Sequence, residues 1–407
     1  MSKWEWKKLG EVCDSINGLW KGKKEPFIKV GVIRNTNFTK NCKLDLNPSK
    51  LEFLDVEKKQ YDKRKLQFGD LIVEKSGGSE KQPVGRVVLF EEKEGEYSFS
   101  NFTSVLRIKN DDEIECHFLH LQLYKLYLDG VTKQMQSATT GIHNLDFDQF
   151  KDLSIGIPPL SEQKRIVKFL DEEFSKIDTL KTNVETNLKN AKELFETTLE
   201  KELNPLSRHS ERSEESSAEL PSGWEWKTLD EFSTNLDAKR KPVTKKNRVN
   251  GNYPYYGASG IVDYVDSYIY DGKYLLISED GANLVARSTP IAFIAEGKFW
   301  VNNHAHIIET MNEATLQYLV YFFENLDLSP YVKGMAQPKL SQDSLYKIQI
   351  PLPPLSVQKE IVARLDKLSE NVKRLEANYK QIIANCDELK KSILKKTFEG
   401  DSRSSRE

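Results

Sequence analysis

Apolar residues near the end of the chain recur at Ile361, Leu365, Leu368, Val372, Leu375, Tyr379, Ile382, Cys386, Leu389 and Ile393, stepping by four and three. That spacing predicts the a/d seam of a coiled-coil helix. A second run, Ile166, Leu170, Ile177, Leu180, Val184, Ala191 and Leu194, keeps the same step less cleanly. Glu173, Asn187 and Thr198 interrupt it, with Phe174, Leu188 and Leu199 one residue along. A proline pair and a serine precede each run, Pro158-Pro159 with Ser161 and Pro353-Pro354 with Ser356, which predicts Ser161 and Ser356 as N-caps. Each helix should run about 40 residues, or about 60 Å. Neither offers the extra apolar faces of a globular bundle, so the two matched seams predict an antiparallel pair.

Upstream of each helix the pattern is different. Short β-rich runs, Asp70 to Glu74, Gly85 to Phe90, Tyr274 to Ser278 and Ile291 to Ala295, are punctuated by Gly, Asn and Ser. One helix-like segment follows in each region, Phe118 to Leu128 and Ala314 to Asn325. Each region therefore reads as α+β with many loops. The two regions are copies. Trp4-Glu5-Trp6-Lys7-Lys8-Leu9 returns 220 residues later as Trp224-Glu225-Trp226-Lys227-Thr228-Leu229. Ile157-Pro158-Pro159-Leu160-Ser161-Glu162-Gln163-Lys164-Arg165-Ile166-Val167 returns 195 residues later as Leu352-Pro353-Pro354-Leu355-Ser356-Val357-Gln358-Lys359-Glu360-Ile361-Val362. The organisation expected is a domain at 1–156, a helix at 157–203, a Ser/Glu-rich linker at 204–220, a second domain at 221–351 and a second helix at 352–400.

Composition narrows the class. The longest apolar runs, such as Ile291 to Ala295 and Leu319 to Phe323, have five residues, far short of a bilayer span. The opening Met-Ser-Lys-Trp-Glu-Trp lacks an apolar signal segment, and Cys13, Cys42, Cys116 and Cys386 form no Cys-x-x-Cys pair. A cytoplasmic chain without a disulfide framework or thiolate zinc site is expected. Lys plus Arg number 60 against 62 Asp plus Glu, a net charge of -2. A general polycation is excluded, whereas local basic loops on one face are not.

Catalytic constellations are scarce. Walker A, the dinucleotide Gly-x-Gly-x-x-Gly, the Gly-x-Ser-x-Gly elbow and the Asn/Asp-Pro-Pro-Tyr/Phe tetrapeptide of amino-methyltransferases do not occur. Asp70 with Glu91-Glu92-Lys93, and Asp280 with Glu296-Gly297-Lys298, resemble the acidic-x-Lys spacing of Mg-dependent nucleases. The same triplets arise readily at charged hairpin turns. His304-Ala305-His306 and the Cys116, His117, His120 group have too few further ligands for a metal and read as satisfied histidines.

Other features suit DNA. The segment Lys239 to Arg248 holds six cations and no acid, and Trp20 to Lys24 has the same flavour on a shorter scale. Gly-rich polar loops, Lys75 to Lys81 and Tyr255 to Gly260, together with Asn302-Asn303-His304, supply the amide, hydroxyl and imidazole groups that base edges require. They repeat at matching places in both copies.

These residues resemble the specificity subunits of type I restriction-modification systems over nearly the whole chain. Trp-Glu-Trp-Lys-x-Leu opening each half and Pro-Pro-Leu-Ser-x-Gln-Lys-x-Ile-Val opening each helix are similar to that family's repeated regions. Tyr255 to Ile261, Ser278 to Leu284 and Phe299 to Ala305 are similar to a common target-recognition pattern. The resemblance implies two recognition domains joined by antiparallel coiled-coil helices, each domain reading one half of a bipartite site. The geometry of two domains on antiparallel helices predicts a pseudo-twofold with half-sites about 34 Å apart, and the differing domain sequences predict an asymmetric site. The resemblance also implies a non-catalytic chain with no cofactor of its own, partnered by double-stranded DNA, two methyltransferase subunits that bind S-adenosylmethionine, and restriction subunits that use ATP and Mg. The DNA-binding residues expected are Lys75, Ser76, Ser79, Lys81, Thr139, Thr140 and Asn144 in the first domain. In the second they are Lys239, Arg240, Lys241, Tyr255, Tyr256, Ser259, Asn283, Asn302, Asn303, His304 and Lys339. A stand-alone Mg-dependent nuclease and a coiled-coil adaptor without DNA specificity are the alternatives.

Overall fold

The computed structural model describes residues 4–139, 141–204, 220–334 and 337–400, so most of the linker lies outside the described residues. The fold is α+β: two domains, each followed by one long helix, Leu160–Leu203 and Leu355–Gly400. The chain divides into a unit of residues 1–183 with 381–407 and a unit of residues 184–380.

The two repeated sequence blocks close each domain against itself. Glu5–Lys8 pairs antiparallel with Ser154–Ile157, placing Trp6 opposite Gly156, and Glu225–Lys227 pairs with Ile350–Leu352, placing Trp226 opposite Pro351. Gly156 is required by packing: a Cβ there would stand 2.5 Å from the Trp4 ring. In each domain the strand next to the long helix is thus tied to the strand that begins the repeat.

The central sheets share one register. In the first domain the order is Cys13–Asn17, Thr103–Ile108, Leu71–Glu74, Val87–Leu89; in the second, Ser233–Asn235, Ala305–Thr310, Tyr270–Ser278, Ala292–Val301 lead into Asn250–Gly257 and Gly260–Val265. Leu71 pairs with Leu106 and Leu89 as Leu275 pairs with Ile308 and Ile294, and Ser15 opposes Leu106 as Asn235 opposes Ile308. The copies diverge at one strand. Ala292–Val301 runs unbroken and pairs parallel with Asn250–Gly257, whereas the first domain splits the equivalent stretch into Val87–Leu89 and Tyr97–Phe99. A separate three-stranded sheet results, Glu52–Glu57, Phe27–Ile33, Tyr97–Phe99.

Apolar faces then decide the packing. Helix Cys116–Leu128 lays Leu119 and Leu123 on Leu71, Val73 and Leu106, and helix Glu313–Asn325 lays Leu316, Leu319 and Phe323 on Leu275, Ile277 and Ile308. Each domain is also seated on the start of one long helix and the end of the other. Trp4, Phe118 and Leu121 meet Ile166 and Leu170 together with Leu394 and Phe398, while Leu316 and Trp224 share a core with Ile361 and Leu365 together with Leu199 and Leu203.

The helix starts differ from expectation. Ser161 and Ser356 lie inside the first turn, because the helices begin at Leu160 and Leu355. The fastening is done by the buried Gln163 and Gln358. Gln163 Nε2 donates to the carbonyls of Glu113 and Pro158 at 2.7 and 2.8 Å, and Gln358 Nε2 donates to that of Pro353 at 2.7 Å. A proline pair has no N–H to offer there, so a side-chain amide ties helix to domain.

Within each unit the helices pair antiparallel. Lys181 meets Asp387 at 3.1 Å and Lys390 meets Asp178 in the first unit; Lys192 meets Glu376 at 2.6 Å and Arg364 meets Glu202 at 2.7 Å in the second. Leu180, Leu194 and Leu389, expected on the seam, are 48%, 60% and 49% exposed. The seam instead takes Phe174, Leu188 and Leu394, each one residue beyond the template positions Glu173, Asn187 and Ile393, as a helix of 3.6 residues per turn drifts about 20° per heptad against a strict repeat.

Candidate nucleic-acid interface

Three chain segments converge beyond the same end of each central sheet, and the hydrogen bonds that join them are duplicated. Lys75 N donates to Phe102 O and Glu279 N to His304 O, both at 2.9 Å; Leu145 N donates to Lys75 O and Leu340 N to Glu279 O, both at 2.7 Å. Ser100 N donates to Ile33 O at 2.9 Å as Asn302 N does to Tyr256 O at 3.0 Å. Short capped helices follow, with Asp146 and Ser341 as the N-caps. The backbone thereby equates Lys75 with Glu279, Ser76 with Asp280, Asn101 with Asn303, Phe102 with His304 and Asn144 with Lys339.

In the first domain Ser76 and Asn144 lie on adjacent strands of a small sheet, Gln136–Thr139, Ile142–Leu145, Ser76–Gly78. Ser76 Oγ donates to Asn144 Oδ1 at 2.6 Å. Gly77 has φ 98° and leaves room for Asn35, whose Nδ2 donates to Ser76 O at 3.2 Å. Lys75, Ser76, Asn101, Phe102, Asn144 and Phe147 border an open cavity of about 440 Å³. Burial pulls the Lys75 ammonium below its ordinary pKa, and no carboxylate pairs with it among the described residues. Its Nζ lies 5.7 Å from the Phe147 ring centre. Ser79 and Lys81 are exposed in the adjoining turn. Thr139 is on the small sheet, but its side chain, and all of Thr140, lie outside the described residues.

In the second domain Asn283 Nδ2 donates to Ser259 Oγ at 3.2 Å. Asn302 is buried, and its Oδ1 accepts from His304 N at 2.8 Å, so it shapes the turn that exposes Asn303 and His304. His304 Nδ1 donates to both oxygens of Asp280 at 2.9 Å, and Lys339 Nζ reaches Glu279 at 3.1 Å. The site residues Ser259, Asn283, Asn303, His304 and Lys339 are thus brought together.

Three residues expected to touch DNA, Tyr255, Asn302 and Arg240, take other roles. Tyr255 is fully buried; its hydroxyl accepts from Val243 N at 3.0 Å, and Arg248 lies 4.3 Å from its ring centre. The neighbouring Tyr256 is half-buried, with its ring edge-on to Phe299 at 5.4 Å, and keeps part of its surface exposed. Asn302 acts through the turn, as above. Arg240 faces inward, 2.5 Å from Glu279 and 3.2 Å from Asp237, and donates to Ala305 O at 2.8 Å. Lys239, Lys241, Lys245 and Lys246 remain exposed and form no salt bridge among the described residues, which gives the basic segment four outward cations.

Beneath the second site lies a buried charge network. His306 Nδ1 contacts Asp237 at 2.5 Å and its Nε2 donates to Leu340 O at 2.8 Å. Burial alone would raise the Asp237 and Glu279 pKa values, but hydrogen bonds and attraction from His306 and Arg240 outweigh it, and both sit below the ordinary carboxylate value. Asp237, Glu279 and His306 have the donor types of a metal site, yet the Arg240 cation already bridges both carboxylates. Glu115, Cys116 and His117 form a second such trio. There Glu115 caps Phe118 N at 2.6 Å, and the bonds of His117 to Cys116, Glu115 and Glu91, against burial, push its pKa up to about 11. His120 Nε2 donates to Cys42 O at 3.0 Å and is shared with Val87 O at 3.1 Å. The nuclease-like acids are also engaged: Asp70 is buried against Arg107 at 2.7 Å and accepts from Gln67 N at 2.8 Å, and Asp280 holds His304.

Two site residues escape sequence reasoning, Asn101 and Phe102. A signal for them exists: aligning Thr103–Ile108 on Ala305–Thr310 sets Ser100-Asn101-Phe102 against Asn302-Asn303-His304.

The family model of the type I restriction modification DNA specificity domain matches residues 1–190 and 221–384. A putative type I restriction enzyme specificity subunit of Haemophilus influenzae is 44% identical over 146 residues, covering 36% of this chain and 37% of that protein. The match thus spans little more than a third of that relative. The putative MjaX specificity subunit of Methanocaldococcus jannaschii is 23% identical over 414 residues, covering 98% and 94%. Among solved structures, one described for complex assembly and conformational transition of the type I R-M system has a TM-score of 0.73 at 19% identity, covering 97% of each chain, and so shares the fold. Among the described residues no helix is long and apolar enough to cross a membrane.

Proposed function

The chain belongs to the type I restriction-modification DNA specificity family, and from that premise we propose how it supplies sequence specificity. Each domain reads one half of an asymmetric, bipartite site in double-stranded DNA. The long helices set the spacing between the halves and dock two methyltransferase subunits; restriction subunits join the complex for cleavage. The chain itself carries out no chemistry. S-adenosylmethionine is bound by the methyltransferase partners, ATP and Mg by the restriction subunits, and the complex acts on DNA in the cytoplasm.

The observation that carries this reading is the duplicated loop site: one backbone hydrogen-bond pattern, with different polar side chains at matching places. A rigid frame with variable tips is what two half-sites of different sequence require. Lys239, Lys241, Lys245 and Lys246 contact phosphates and set register, as do Lys75 and Lys81 in the first domain. Ser76, Asn101 and Asn144 on one side, and Ser259, Asn283, Asn303, His304 and Lys339 on the other, face base edges. Arg240, Glu279, Asp237 and His306 hold three of the second domain's loops in place from below.

Methylome sequencing of a methylation-free host that expresses the chain with the methyltransferase subunit encoded beside it tests the reading. A modified adenine in a split motif with a fixed gap is the expected result. A soluble co-purified complex that leaves no mark would favour the adaptor alternative.

A further inference from the structure

Phe102 and His304 occupy the same place in the two domains, yet their chemistry is opposite. Both carbonyls accept from the residue that follows the central strand, Lys75 N and Glu279 N at 2.9 Å, and Phe102 O also accepts from Ser76 N at 3.1 Å. The backbone therefore fixes where each ring emerges. Phe102 is 46% exposed and has no ring or cation partner among the described residues. It lines the cavity that Lys75, Asn101 and Asn144 also border, together with a cation suited to a phosphate and two amides suited to base edges. His304 instead commits its Nδ1 hydrogen to Asp280, with its side chain exposed.

We infer that this position determines specificity differently in the two domains: Phe102 packs on the 5-methyl group of a thymine in its half-site, and His304 meets a polar base edge. The inference rests on the DNA-reading function proposed above. Thymine is the only base whose major-groove edge carries a methyl group, so a phenyl ring gains from it and from no other base. A ring nitrogen gains nothing from a methyl and loses a hydrogen bond by facing one.

The test uses the full chain in complex with its methyltransferase subunits and duplexes carrying the complex's own split motif. Each thymine of the first half-site, on either strand, is replaced singly by deoxyuridine, which lacks only the methyl. One replacement is expected to weaken binding by roughly fourfold, the worth of one buried methyl group. That sensitivity disappears in Phe102→Ala and persists in part in Phe102→Leu, while replacements in the second half-site have no effect attributable to His304. Retained second-half-site discrimination shows that Phe102→Ala is folded. A first half-site without thymine, indifference of the parent complex to every replacement, or equal sensitivity in Phe102→Ala would overturn the inference alone. A complex that binds no DNA would instead overturn the functional reading beneath it.

Discussion

The two domains place opposite charges on the same backbone position. In the first, Lys75 follows the central strand, half-buried and without a carboxylate, 3.4 Å from the neutral Asn17. In the second, Glu279 stands there, tied to Arg240 and Lys339, with Asp237 and His306 close by. Ser104 and His306 likewise occupy one register position, opposite Val73 and Ile277. The ladder of main-chain hydrogen bonds tolerates both solutions, because it is satisfied before any side chain is chosen. What the comparison teaches is a division of labour: the repeated backbone determines where side chains emerge, and the charge network beneath is free to differ.

The largest effect is expected from breaking the second domain's network of Arg240, Asp237, Glu279 and His306. Arg240→Ala removes the cation shared by two buried carboxylates, leaving Glu279 to Lys339 and Asp237 to His306, and should destabilise the second unit by about 3 kcal/mol. Denaturant unfolding followed by a probe in each domain should show the first transition unmoved; equal loss in both would refute independent frames. The first domain's counterpart is Arg86, buried against Glu74 at 2.8 Å, and Arg86→Ala should move the other transition by a similar amount.

Next in size is the helix seam. Leu394→Ala should cost about 2 to 5 kcal/mol, whereas Leu389→Ala, on the same helix and exposed, should stay within about 0.5 kcal/mol. Equal losses would restore the strict heptad register. Acid sharpens the comparison further. Asp237 and Glu279 are held below the ordinary carboxylate values, so the stability they confer is fully present above that range and is lost as pH falls from it through their lower folded values. Asp237→Asn with Glu279→Gln should flatten the acid limb of the second unit's stability profile, and an unchanged limb would remove the network from that role. The smallest effect concerns affinity. Changing Lys239, Lys241, Lys245 and Lys246 to Gln should reduce the salt slope of DNA binding by about 3 to 4 in log-log units, since each phosphate left without its lysine lowers the slope by about 0.9. An unchanged slope would take the segment out of the interface.

Much of this is legible in residue order, and the failures have local causes. The repeats mark both strand latches and both helix starts, since Trp-Glu-Trp and Pro-Pro-Leu-Ser are short, dense and identical in spacing. Tyr255 and Tyr256 cannot both face DNA, because neighbours on a strand point to opposite sides and one has to turn inward. Arg240 reads as one cation in a run of six; its acceptor Glu279 lies 39 residues away, and no local pattern reports so distant a partner. Asn101 and Phe102 are hidden because the strand before them is split in one copy and continuous in the other, which puts the two copies out of step. Leu180, Leu194 and Leu389 fall off the seam because a heptad template accumulates an angular error that a real helix does not share.

The central claim is that the two loop sites are equivalent in construction and independent in reading. Its most direct test is methylome sequencing of a host carrying the complex with Asn101→Ala, beside one with Asn303→Ala. Each change should relax discrimination by about 1 to 3 kcal/mol at one base pair, and the two relaxed positions should fall in opposite halves of the split motif. Relaxation in the same half, or in both halves at once, would contradict the account.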